Sequence, residues 1–169
     1  YPISRNKIRD LKVTTSDEII VYLPTYSPSN LIEIINQLPI KKTWTIFSLD
    51  ADKKEIISGV NVEPLSEDLF LRKFASCYGI VCAGGFATTS EAIFLGKPMI
   101  VVPVEGQIEQ QFNAEALKKE GVTVIDRFSK KNIDIISNWI KSPKVLEIKY
   151  KDESKKIIDT IINDFSNLN

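Results

Sequence analysis

Short apolar runs, each cut off by a glycine, a proline or a polar cluster, recur along the chain. Ile19-Ile20-Val21-Tyr22-Leu23 is stopped by Pro24, and Trp44-Thr45-Ile46-Phe47 follows a segment opened by Pro28-Ser29-Asn30 in which Leu31, Ile34, Ile35 and Leu38 keep helical spacing. Val60-Asn61-Val62 is a shorter run. Gly79-Ile80-Val81-Cys82-Ala83, Met99-Ile100-Val101-Val102 and Val122-Thr123-Val124-Ile125 complete the series. Being mostly continuous rather than alternating, these runs predict strands buried on both faces. Helices are predicted between them. One follows Ser66, an N-cap with Glu67 and Asp68 in the first turn. Another runs from about Thr88 to Leu95 and is ended by Gly96; a third runs from about Ile108 to Lys119 and is stopped by Gly121. Two more close the chain, from about Lys131 to Lys141 and from about Val145 to Phe165. The alternation predicts an α/β fold: a doubly wound, Rossmann-like parallel sheet of about six strands with helices on both faces. The polar, proline-containing opening, residues 1–18, reads as a linker leading into a domain over residues 19–169.

Composition narrows the chemistry. A length of 169 residues fits one domain. Lys plus Arg and Asp plus Glu balance at 22 each. That argues against a nucleic-acid binder that neutralises phosphates and against adsorption to an anionic membrane. Histidine is absent, which removes Ser-His-Asp chemistry and every His-ligated metal site within the chain. Cys77 and Cys82 are too few for a disulfide scaffold or a four-cysteine zinc site; beside an apolar run they read as buried thiols, compatible with a cytoplasmic setting. No apolar stretch is long enough to span a bilayer, and no signal peptide opens the chain. The first residue is Tyr1, so the chain reads as an excised or processed segment.

In a doubly wound sheet the ligand sits beyond the carboxyl ends of the strands. The most informative exit is Cys82-Ala83-Gly84-Gly85-Phe86-Ala87-Thr88-Thr89-Ser90-Glu91-Ala92. Paired glycines let backbone approach a ligand, and the helix that follows offers unpaired amides at its positive end. Thr88, Thr89 and Ser90 add hydroxyls, so the segment suits a diphosphate without any lysine or arginine. The phosphate-loop pattern G-x-x-x-x-G-K-[ST] is missing. Glu91, about one turn into the helix, has two readings: acceptor for a ribose diol, or a charge that merely complements the helix N-terminus. The exit after Pro103 carries Gln107, Glu109, Gln110 and Gln111 at a helix start. These are partners for sugar hydroxyls or, more plainly, a solvated first turn.

The stretch from Gly79 to Gly121 resembles the donor-binding signature of GT-B glycosyltransferases, in the branch of the UDP-glucuronosyl-, UDP-glucosyl- and MurG-like transferases. The chain supplies in order Gly84-Gly85, Ala87, Thr88, Glu91-Ala92, Gly96-Lys97-Pro98, Pro103, Glu109-Gln110 and Asn113-Ala114. The resemblance implies that Gly84, Gly85, Ala87, Thr88 and Thr89 hold the donor diphosphate and that Glu91 binds the ribose. It implies that the loop with Pro64 and Leu65 meets the base, that Gln107, Glu109 and Gln110 contact the transferred sugar, and that Thr25 and Tyr26 face the donor from the first strand. It implies a UDP-sugar substrate, no required cofactor or metal, and no catalytic base in this chain. Acceptor binding then belongs to an N-terminal domain, joined through a junction such as Pro2 and Arg5, or to a separate acceptor subunit. No nucleic-acid partner and no integral membrane segment are expected. The setting is cytoplasmic, with a peripheral position at the membrane open to the full protein.

Ala83 stands where many relatives have His, Ala87 where many have Asn or Ser, and Glu109 where Asp precedes Gln. Two residues are added between Pro103 and the acidic-Gln pair. Three alternatives follow: a non-catalytic nucleotide-binding or interaction module, the donor-binding subunit of a two-chain GlcNAc transferase, and a UDP-sugar 2-epimerase. The last is disfavoured by the absence of histidine.

Overall fold

The computed structural model describes residues 5–149, 151 and 153–166. Seven strands form one sheet: β1 (Glu18–Tyr22), β2 (Thr43–Ser48), β3 (Glu55–Ile57), β4 (Val60–Pro64), β5 (Gly79–Cys82), β6 (Met99–Val101) and β7 (Thr123–Val124). Their spatial order is β3-β4-β2-β1-β5-β6-β7, and every neighbouring pair is parallel except β3 with β4. From β1 the chain winds outward through β2 and β4 on one side, then returns to build β5, β6 and β7 on the other. The direction reverses between β1 and β5, and a doubly wound sheet opens a crevice there at its carboxyl edge.

The apolar runs divide residue by residue between two cores. Ile19, Val21 and Leu23 join Leu31 and Ile34 of α2 (Pro28–Ile35) and Ile136 and Ile140 of α6 (Ile133–Lys141). Ile20, Ile80 and Cys82 join Phe70 and Phe74 of α3 (Glu67–Ser76), Ala92 and Leu95 of α4 (Phe86–Leu95), and Leu117 of α5 (Ile108–Lys119). Successive side chains of a strand point to opposite faces, so only a sheet covered twice can bury a continuous run. Burial pushes the thiols of Cys77 and Cys82 up to about 12, which leaves both protonated and inert at neutral pH.

Several expectations are corrected. The sheet has seven strands rather than six because β3 pairs antiparallel with β4 across the two-residue turn Ser58-Gly59. Both turn residues have positive φ, 49° and 82°, the geometry that matches hairpin twist. Ser66 occupies the N-cap of α3, but its side chain makes no capping hydrogen bond. The helix placed at Thr88 begins two residues earlier, at Phe86. The last helix, α7 (Ser154–Ser166), starts well after Val145. Residues 143–149 instead run along α4 without regular structure: the Ile148 amide donates to the Ile93 carbonyl at 3.4 Å and the Lys149 ammonium to the Phe94 carbonyl. Exposed Ile157, Ile158, Ile161 and Ile162 lie on α7.

The opening segment packs onto the domain as far as it is described. It forms the short helix α1 (Asn6–Arg9), whose Ile8 is fully buried in the second core. The Thr14 and Ser16 amides donate to the carbonyls of Ala75 and Ser76. Arg9 lies 5.1 Å and Lys149 4.9 Å from the centroid of the Phe94 ring, so segments near both ends of the chain meet on α4. Among the described residues, no helix is long and apolar enough to cross a membrane.

Candidate functional site

Two cavities at the strand exits take part of the residues singled out from the sequence, Leu65, Ala87 and Thr88 in one and Thr25 and Tyr26 in the other, while Gly84, Gly85, Glu91, Gln107, Glu109 and Gln110 line neither. The first, about 580 Å³, is lined by Arg5, Tyr22, Leu65, Glu67, Phe70, Ala87 and Thr88. Here the residue expected to meet the base, Leu65, 41% exposed, faces the cavity that also receives Ala87 and Thr88 from the start of α4. Pro64 closes β4 just behind it. The second cavity, about 340 Å³, takes Thr25 and Tyr26 together with Asn30, Val104, Glu105, Asp126 and Arg127. The Tyr26 hydroxyl accepts the Phe128 amide at 3.2 Å, which fixes the ring at the cavity wall.

The earlier start of α4 matters for the chemistry. With Gly85 at the N-cap, the amides of Phe86, Ala87 and Thr88 are the ones that helix geometry leaves without partners inside the helix. They form a donor cluster at the positive end of the dipole, beside the first cavity. Thr89 contributes no hydroxyl to it: that group is buried and donates back to the carbonyls of Gly85 and Phe86, at 3.0 and 3.2 Å.

The two glycines do different jobs. A Cβ on Gly84 would stand 2.7 Å from the Gln110 carbonyl oxygen, so α5 can lie against the β5 exit only because no side chain intervenes. A Cβ on Gly85 would meet open space. The amide of Gly84 is already taken. It donates to Oε1 of Gln110 at 3.0 Å, and the same oxygen accepts the Val104 amide at 3.0 Å. Asn113 Nδ2 donates to the Gly84 carbonyl at 3.1 Å. Gln110 and Asn113 therefore clamp the Gly84 backbone and tie the β5 exit to the β6 exit. Gln110 Nε2 donates to Gln107, and Gln107 and Glu109 are exposed at the head of α5.

Glu91 is 2% exposed and lies beneath the first cavity, where Arg5 grips it with a two-pronged ion pair. Nε donates to Oε1 at 2.8 Å and Nη2 to Oε2 at 2.7 Å. The remaining nitrogen, Nη1, donates to Glu67 at 3.1 Å, and Lys7 holds the other Glu67 oxygen at 3.0 Å. The hydrogen bond to Glu91 is the main reason that Arg5 holds its proton more tightly than usual; Lys7 is the main reason that the Glu67 carboxyl stays below its ordinary range. Sequence reasoning gave Arg5 only a place in a linker, and no local spacing could join it to a residue 86 positions away. Tyr22, Phe70 and Asn113 were also missed as site residues.

In the second cavity Asp126 Oδ1 accepts Asn132 Nδ2 and the Arg127 amide, each at 2.8 Å. These bonds, that of Asn132 foremost, hold its carboxyl below the ordinary value of 3.8. A depressed folded-state value contributes stability that is present above 3.8 and lost as the pH falls through the lower, folded value. The melting-temperature gap between the native chain and Asp126→Ala is expected to be full near about pH 7 and to close at the acid end. Thermal melts across that range check it, and a gap that stays constant would remove Asp126 from the account.

A mostly parallel sheet that reverses direction beside an open helix N-terminus makes a doubly wound α/β domain, here with the architecture of the C-terminal domain of GT-B glycosyltransferases. A family described as glycosyl transferase family 1 matches residues 1–143, and the chain belongs to it. The UDP-N-acetylglucosamine--N-acetylmuramyl-(pentapeptide) pyrophosphoryl-undecaprenol N-acetylglucosamine transferase of Thermosipho africanus is 33% identical over 118 residues, covering 64% of this chain and 35% of the relative. The enzyme of the same name from Alkaliphilus oremlandii is 26% identical over 157 residues, covering 82% of this chain and 43% of that protein. The crystal structure of the glycotransferase of kitacinnamycin superposes with a TM-score of 0.52 at 21% identity, over 75% of this chain and 34% of that one. The chain thus spans less than half the length of the curated relatives that it matches.

Proposed function

We propose that this domain binds the nucleotide-sugar donor, a UDP-sugar, of a glycosyltransferase that moves a hexose to an acceptor held by polypeptide outside these 169 residues. The observation that carries the reading is the first cavity. It has an apolar wall at Leu65 and Phe70 for a base, the unpaired amides of Phe86, Ala87 and Thr88 for a diphosphate, and Glu91 beneath for a ribose diol. Family membership supports a transferase, and two of the relatives reported above are named for a UDP-linked sugar.

On this reading the leaving diphosphate gathers charge against fixed backbone amides at a helix N-terminus. They are already oriented, so they stabilise the transition state with little reorganisation. Gln107 and Glu109 are exposed at the head of α5, and the Gln107 amide nitrogen and the second Glu109 oxygen, beyond their bonds to Gln110 and Asn113, are placed to meet sugar hydroxyls. Gln110 acts first as the clamp that places them. No general base is assigned within the chain, so the domain by itself is expected to bind donor and transfer nothing. Isothermal titration of the chain with UDP, UDP-sugars and other nucleoside diphosphates tests the reading. UDP is expected to bind more tightly than ADP or GDP; no detectable heat at about millimolar UDP would remove the uridine donor.

A further inference from the structure

We propose that Arg5 is a specificity-determining latch, competing with the ribose diol of the donor for the two oxygens of Glu91. The inference rests on the donor-binding reading above. Its ground is the mismatch between where Glu91 sits and what reaches it. The carboxylate is buried, both oxygens are engaged by Arg5, and the cavity wall is formed by the guanidinium rather than by the acid. A nucleoside entering between Leu65 and Thr88 meets Arg5 first.

The exchange is balanced in hydrogen bonds. Arg5 presents two N–H donors to the two oxygens, and a 2′,3′-diol presents two O–H donors in their place. A ligand lacking both hydroxyls has nothing to offer Glu91 and leaves the latch closed. Arg5 can move out because it is 42% exposed, whereas Glu91 is held within α4. It also has a partner at the rim, since Nη1 already contacts Glu67. The latch therefore subtracts from the affinity of every donor that uses the diol, and it links ribose occupancy to the segment ahead of β1.

The test compares UDP with 2′,3′-dideoxyuridine diphosphate by calorimetry on the full chain. Loss of any attraction between Arg5 and the diphosphate weakens both ligands alike, so the ratio of their affinities isolates the diol. In Arg5→Gln the preference for UDP over the dideoxy ligand is expected to rise about two- to fivefold, the scale of a half-exposed ion pair. In an Glu91→Gln background the same substitution is expected to leave the ratio unchanged. Arg5→Lys, which keeps the charge but loses the fork, is expected to fall between and serves if the glutamine variant does not fold. A ratio that stays level or drops in Arg5→Gln overturns the latch while leaving the donor site standing. If UDP binds neither the native chain nor any variant, the donor reading fails and the latch goes with it.

Discussion

Lys97→Met is expected to destabilise the domain by about 2–4 kcal/mol, although Lys97 lies outside both cavities. Its ammonium is buried, and burial pulls it below the ordinary lysine range. It donates to the carbonyls of Thr14 and Cys77, the latter at 2.8 Å, while its own amide donates to the Ala92 carbonyl at 2.8 Å. One side chain thus joins the segment ahead of β1, the α3–β5 connection and the end of α4. Methionine fills a similar volume but leaves both carbonyls without this donor, at about 1–3 kcal/mol each; relief of the buried charge offsets part of that. For a chain of this size the loss corresponds to a fall of about 4–16 °C in Tm. Differential scanning calorimetry reads it directly, and a Tm within about 1 °C of the native chain would show that the buried ammonium holds nothing together.

Gly84→Ala is expected to cost about 1–3 kcal/mol and to abolish most UDP binding. The added methyl would fall 2.7 Å from the Gln110 carbonyl oxygen and 3.1 Å from its Cβ. Backbone cannot swing aside as a flexible side chain would, so α5 must withdraw from the β5 exit. Withdrawal breaks the clamp made by Gln110 Oε1 and Asn113 Nδ2 and moves the head of α5 away from the head of α4. Gly85→Ala is the control. Its φ of −67° suits alanine and its Cβ meets open space, so stability is expected to change by less than about 1 kcal/mol. Urea unfolding and UDP titration of both variants separate the roles. Equal tolerance of the two substitutions would mean that the close approach of α5 is not needed.

These contrasts show where a single chain of letters is informative. The two-sided burial of Ile19 to Leu23 and Ile80 to Cys82 was legible because a continuous apolar run has few other uses, and the ends of α4 and α5 were legible from Gly96 and Gly121. The β3 hairpin was not, because Glu55-Ile56-Ile57 is short and exposed and takes its structure from pairing with β4. The stretch from Val145 looked helical but is held along α4 by contacts to Ile93 and Phe94, which no local pattern announces. At the site, the sequence singled out the glycine pair and Glu91 but set the start of α4 two residues late. What it left out is long-range: the role of Gly84 depends on Gln110, and the occupant of Glu91 is Arg5. Hydrogen bonds between residues far apart in the chain are set by how elements pack, not by spacing.

The meeting of Arg9 and Lys149 at the Phe94 ring joins two segments far apart in the sequence. Both segments are anchored at neighbouring points on one helix, so a change near the end of α4 that displaces this ring is felt by each of them at once.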